Sequence, residues 1–112
     1  MILQFGDVVL IRMQFHQAAG AKVRPAVVLL DTGDDDFVAA PITSQSRHSD
    51  HDLALEDWRL AGLNVASYAR VHKLTVLAKL EIVRSLGLLS ERDGRSLTAL
   101  LCRVFCRPSP EQ

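Results

Sequence analysis

KVRPAVVLLDTGDDDFVAAPITSQ, Lys22 to Gln45, is the stretch on which the fold turns. Its first part, PAVVLL, is apolar and rich in valine and leucine, the composition of a strand that wants burial. LLDTGDDD follows, where Gly33 and the aspartates mark a turn. FVAAPITSQ is a second apolar run, closed by Pro41 and a set of short hydroxyl and amide side chains. Together they predict a pair of strands around a glycine–aspartate turn. The first strand nevertheless opens on two cations, Lys22 and Arg24, and on Pro25, which cannot donate to a sheet. A guanidinium at the head of a buried strand calls for a reason.

Working outward, FGDVVLIRM before this stretch reads as another strand, and QFHQAAGAK between them as a long, small and polar connection. Downstream, SQSRHSDHD has no periodicity. LALEDWRLAGL reads as a strand stub plus one helical turn ending at Gly62. SYARVHKLTVL is β-rich, and EIVRSLGLL is a further strand whose glycine marks a bulge. That makes five or six short strands.

Then the period changes. Ser90 is a good N-cap, Asp93 three residues on suggests a variant capping box, and Leu97, Leu100, Leu101, Val104 and Phe105 repeat at helical spacing. The helix is expected to run to about Cys106, with Arg103 and Arg107 near its negative end and Pro108 stopping it. The fold class is therefore mainly β with one C-terminal helix, a small and strongly bent antiparallel sheet or barrel flanked or plugged by that helix. One domain spans residues 1–112, with a core over about 5–106 and a short disordered tail at 107–112.

Composition narrows the function. The chain of 112 residues is 48% apolar and 23% charged, with 13 basic and 13 acidic residues. That balance excludes a disordered chain and a strongly basic nucleic-acid coat. An anionic polymer, if bound, must be held by a local cluster of cations. No run of 18 apolar residues occurs, and the amino terminus lacks a basic leader with a cleavage site, so a soluble, cytoplasmic protein with no membrane partner is expected. Cys102 and Cys106, four apart on a helix, suit reduced thiols better than a disulfide. His48, Asp50, His51 and Asp52 are metal-ligand types, but one loop without a second cluster falls short of a zinc pattern, so a solvated loop is expected and no cofactor. His16 reads as a mobile surface residue.

GDVVLIRM, a glycine-bearing loop into RPAVVLL, then APITSQ, ARVHKL and LGLLSERD occur in an order and rough spacing that resembles the MazF/PemK-like toxins of bacterial type II toxin-antitoxin systems. The resemblance covers about Phe5 to Leu101. It implies an SH3-like, CcdB/MazF-like small β-barrel with a terminal helix, a homodimer, a cognate antitoxin as partner, and metal-independent cleavage of single-stranded RNA by 2′-hydroxyl attack. Two other readings stay open: a CcdB-like barrel that binds a protein target such as DNA gyrase, and a non-catalytic RNA-binding module.

On this resemblance the catalytic residues are Arg24, Thr43 and His72. Arg24, anchored by a rigid strand, would offer a planar fork of donors to a phosphate whose charge grows in the transition state. Thr43 would orient the scissile group; its alternative is a turn hydroxyl serving its own backbone. His72 stands near a position where some family members carry aspartate, so a general-base role passes to an imidazole that titrates near neutrality. Lys22, Ser44, Gln45, Arg70 and Lys73 complete the expected RNA contacts. Arg70 and His72 are expected on one face of a strand and Lys73 on the other.

Overall fold

A computed structural model describes residues 2–14, 21–45 and 49–106. His16, Ser46, Arg47, His48, Arg107, Pro108 and the expected tail at 107–112 lie outside the described residues.

The turn foreseen at Gly33 joins β2 (Ala21–Asp31) to β3 (Asp36–Thr43). Gly33 takes φ +82°, a left-handed conformation open to glycine. Asp31 anchors the turn: its carboxylate accepts from the Gly33 N–H at 2.8 Å, from the Leu3 N–H at 2.9 Å and from Lys79 Nζ at 2.9 Å. The Lys79 ammonium foremost, then these amides, hold the Asp31 carboxyl far below the usual carboxylate range. Thr32 and the Asp36 N–H do the same, more mildly, for Asp34.

β1 (Asp7–Gln14) pairs antiparallel with β2, Val8 against Val27 and Ile11 against Arg24. β4 is Asp52–Ala54, β5 Tyr68–Arg70, β6 Thr75–Ala78 and β7 Ile82–Leu88. The sheet runs β4-β5-β3-β2-β1-β7, with β6 also on β3. β3 therefore shares one edge between two partners, residues 36–39 with β6 and residues 42–43 with β5. That division bends the sheet into an open, barrel-like cup.

Seven strands form among the described residues, where five or six were expected. SYARVHKLTVL is not one strand: after Arg70 the chain makes a 3-10 turn, Val71–Lys73, before β6 begins. The bend in β3 leaves no straight edge for a continuous partner, so the polypeptide must step from one half of the edge to the other. The bulge expected near Gly87 is present, since Val8 pairs Gly87 and Val9 pairs Ser85.

Alternation splits the core in two. Val9, Ile11, Ala26, Val28, Phe37 and Ala39 pack inside the cup, while Val8, Val27, Ala40, Ile42 and Ala69 meet the helix on the other face. That helix, α1 (Glu91–Phe105), buries Leu97 and Leu100 and packs Leu101 and Val104 against them. Phe105 departs from the expected stripe and is 54% exposed. Ser90 caps α1 by accepting the Asp93 N–H at 3.1 Å. The capping box itself is not made: the buried Asp93 carboxylate instead accepts the N–H groups of Glu56 and Asp57 at 3.0 and 2.8 Å. It ties α1 to the turn after β4. Cys102 and Cys106 are free thiols.

Candidate active site

β2 and β3 pair with Ala26 opposite Pro41. Arg24 and Thr43 each lie two residues beyond this last pair. Both line one open cleft of about 580 Å³ at the end of the sheet. Its floor is apolar, with Leu10, Ile42, Leu63 and Leu86; its rim carries Lys22, Arg24, Thr43, Ser44, Asn64 and Arg84. Three cations and no carboxylate line it among the described residues, although the chain as a whole is neutral. The local field is positive where the global one is not.

Thr43 Oγ1 accepts the Gln45 N–H at 3.2 Å. The turn role weighed for this hydroxyl is thus real, and it is compatible with chemistry, because the hydroxyl keeps its own proton to donate. Gln45 enters through its backbone and its side chain does not line the cleft.

The far wall, residues 62–67, is irregular but held closely. The turn after β4 closes with Leu63 N–H on the Trp58 carbonyl and Gly62 N–H on that of Arg59, a Schellman end with Gly62 at φ +84°. This is the helical turn expected to end there. A Cβ on Gly62 would sit 2.1 Å from the Leu86 carbonyl oxygen, so the wall is pressed backbone to backbone against β7. Ser67, buried, donates to the Val65 carbonyl at 2.8 Å.

Arg70, His72 and Lys73 do not line this cleft. They belong to a neighbouring group. Ile42 and Ala69 are register partners buried on the helix side, so Thr43, Tyr68 and Arg70 turn to the opposite face together. Arg70 Nε meets Asp52 Oδ1 at 3.3 Å, and its Nη2 lies 3.5 Å from His72 Nε2. Because a guanidinium only donates, that ring nitrogen is the acceptor. The His51 ring stands 5.2 Å from that of His72. Partial burial, and then the Arg70 charge, push the His72 pKa below its ordinary value, so the imidazole is neutral at pH 7. The expectation that Arg70 and His72 share a strand face is corrected: His72 and Lys73 stand on the 3-10 turn, and the Arg70–His72 contact arises from that turn. His51 and Asp52 are structural neighbours of this pair, not members of a free loop.

A family model described as "PemK-like, MazF-like toxin of type II toxin-antitoxin system" matches residues 4–105. The chain belongs to that toxin family. A comparison with curated proteins gives no match. Among solved structures, a MazE–MazF complex from Deinococcus radiodurans superposes with a TM-score of 0.77 at 17% identity, covering 96% of this chain and 100% of that one. An endoribonuclease in complex with its cognate antitoxin, from a mycobacterial species, gives 0.75 at 16% identity, covering 97% and 100%. The Mycobacterium tuberculosis toxin MazF-mt6 gives 0.70 at 18% identity, covering 90% and 99%. At these identities the likeness is one of fold.

In this MazF-like frame two rim residues, Asn64 and Arg84, were not foreseen. Arg84 pairs opposite Leu10 across β1 and β7 and so enters the cleft from the far end of the chain. Its one sequence signal is a cation inside the apolar run EIVRSLG.

Proposed function

We propose that this protein is the toxin of a toxin-antitoxin pair and a metal-independent endoribonuclease acting on single-stranded RNA. The observation that carries the reading is the cleft that Arg24 and Thr43 line together with Lys22 and Arg84, with no carboxylate among its described lining residues. Cleavage by the neighbouring 2′-hydroxyl adds negative charge to the phosphorus oxygens, and the fixed Arg24 fork meets that charge where it develops. Lys22 and Arg84 hold the flanking phosphates. The chain's own guanidinium and ammonium groups thus supply the neutralisation the reaction needs. Thr43 donates its hydroxyl proton to a phosphate oxygen and keeps the group in line.

The 2′-oxygen forms a bond to phosphorus, its proton passes to a base, and the bond to the 5′-oxygen breaks as that oxygen takes a proton from water. The products are a 2′,3′-cyclic phosphate and a 5′-hydroxyl. On this reading His72, on the 3-10 turn beside the cleft, takes the proton once its Nε2 leaves Arg70, and the RNA strand runs past Ser44 and Gln45 toward Arg70 and Lys73.

The partners follow the same reading. The fold is shared with proteins solved with an antitoxin, and a positive cleft suits a small antitoxin whose extended segment competes with RNA. Leu30, Val38 and Val76 form a cross-strand row over β2, β3 and β6, with Leu30 and Val76 55% and 63% exposed, an apolar surface that supports a homodimer. No helix among the described residues is long and apolar enough to cross a membrane. A cytoplasmic site of action matches the substrate.

Incubating purified protein with single-stranded RNA in EDTA tests the activity. Cyclic-phosphate and 5′-hydroxyl ends support it; intact RNA in both EDTA and magnesium rejects it.

A further inference from the structure

The far wall of the cleft carries a side chain with no structural duty. Asn64 is exposed, lines the cleft opposite Arg24 and Thr43, and among the described residues nothing hydrogen-bonds its amide. Its backbone, by contrast, is pinned on both sides. Gly62 is jammed against the Leu86 carbonyl, Leu63 closes the preceding turn, and the Ser67 carbonyl accepts the Leu55 N–H at 3.0 Å. A polar group on a fixed backbone is poised without an ordering cost for its wall.

The other polar groups at the rim differ in kind. Lys22, Arg24 and Arg84 only donate, which suits phosphate, the Thr43 and Ser44 hydroxyls each offer a single oxygen, and the Ser67 hydroxyl is already spent on Val65. Asn64 pairs one donor with one acceptor in a plane, the pattern that matches a nucleobase edge. Leu63 and the half-exposed Val65 flank it with apolar surface on which a base face can rest. Aromatic residues make up 5% of the chain and none of the described residues lining the cleft is aromatic, so no stacking platform among them competes for this task.

We propose that Asn64 reads the edge of a nucleobase beside the scissile phosphate and sets the sequence preference at one position. The edge it reads offers an adjacent donor and acceptor, such as N6–H and N1 of adenine, N4–H and N3 of cytosine, N3–H and O4 of uracil or N1–H and O6 of guanine. The inference rests on the RNA-cleaving reading and deepens it. A carboxylate at the same place accepts twice and donates nothing, so it would match the N1–H and N2–H pair of guanine.

Wild type, Asn64→Ala and Asn64→Asp are incubated with an RNA pool randomised around the cut, and the new 5′ ends are sequenced. Because Asn64 is exposed and unbonded, both variants are expected to melt with wild type. Asn64→Ala should lose about tenfold of the discrimination at one position while the others keep theirs. Asn64→Asp should turn that position toward guanine. An unchanged preference in both variants overturns the proposal while leaving the nuclease reading intact. If wild type cuts nothing, the nuclease reading fails, and sequencing the protein-bound fraction of the pool decides Asn64 separately: a shift at one position supports it and an unchanged pool overturns it.

Discussion

Arg24 and Thr43, nineteen positions apart in sequence, line the same cleft just beyond the last β2–β3 pair, Ala26 with Pro41. A charged fork and a hydroxyl are thereby fixed by two strands whose other ends are locked by the Asp31 turn. This placement answers why a buried strand opens on a guanidinium. Arg24 stands where β2 leaves the core and the cleft begins, so its backbone is anchored and its side chain is exposed.

Arg84 completes the ring of cations. Arg84→Ala should weaken RNA binding at every sequence and lower the salt dependence of binding by about 0.7 in log–log slope, the effect of one lost phosphate contact on a single strand. Arg95→Ala removes a cation paired with Glu91 on the exposed side of α1 and should leave that slope unchanged. Titrations at several salt concentrations measure both.

The pH profile reports on His72. Its pKa is lowered in the folded protein, so the proton is bound more tightly by the unfolded chain. Stability tied to this group is complete above its ordinary value near 6.5 and declines as pH falls toward the lowered one. The acid limb of the cleavage rate should likewise lie below pH 6.5, and His72→Gln should reduce the rate and flatten that limb. An acid limb identical in the variant would assign the base elsewhere.

Asp93 is the structural counterpart. Its buried carboxylate serves two amides of the turn that becomes the far wall, and Asp93→Ala strands both. A loss of about 3 kcal/mol is expected, measured by urea unfolding. Asp93→Asn, which keeps one acceptor, should recover part of it.

The strands around Lys22–Gln45 and the terminal helix were legible because their signals are local: β-branched runs, Gly33 with its aspartates, Ser90 before a leucine stripe. Arg24, Thr43 and Ser44 were legible as a group for the same reason, since one hairpin carries them all. What escaped is long-range. Arg84 reaches the cleft through the β1–β7 pairing, which no local pattern announces. Asp93 was read as part of a cap, yet its partners lie 36 and 37 residues away. The 3-10 turn at Val71–Lys73 follows from the bend of β3, and Val, His and Lys suit a strand equally well in isolation. Asn64 sits on a wall defined by the contact of Gly62 with β7, and nothing in its own neighbours marks it.

The central claim is that Arg24 and Thr43 act on one phosphate. Single-turnover cleavage of a fluorescent RNA by wild type, Arg24→Ala, Thr43→Ala and the double variant tests it most directly. Joint action predicts a loss of about 100-fold or more for Arg24→Ala and a double variant little slower than that single one, with melting temperatures unchanged. Full activity in either single variant, or losses that simply multiply, would contradict it.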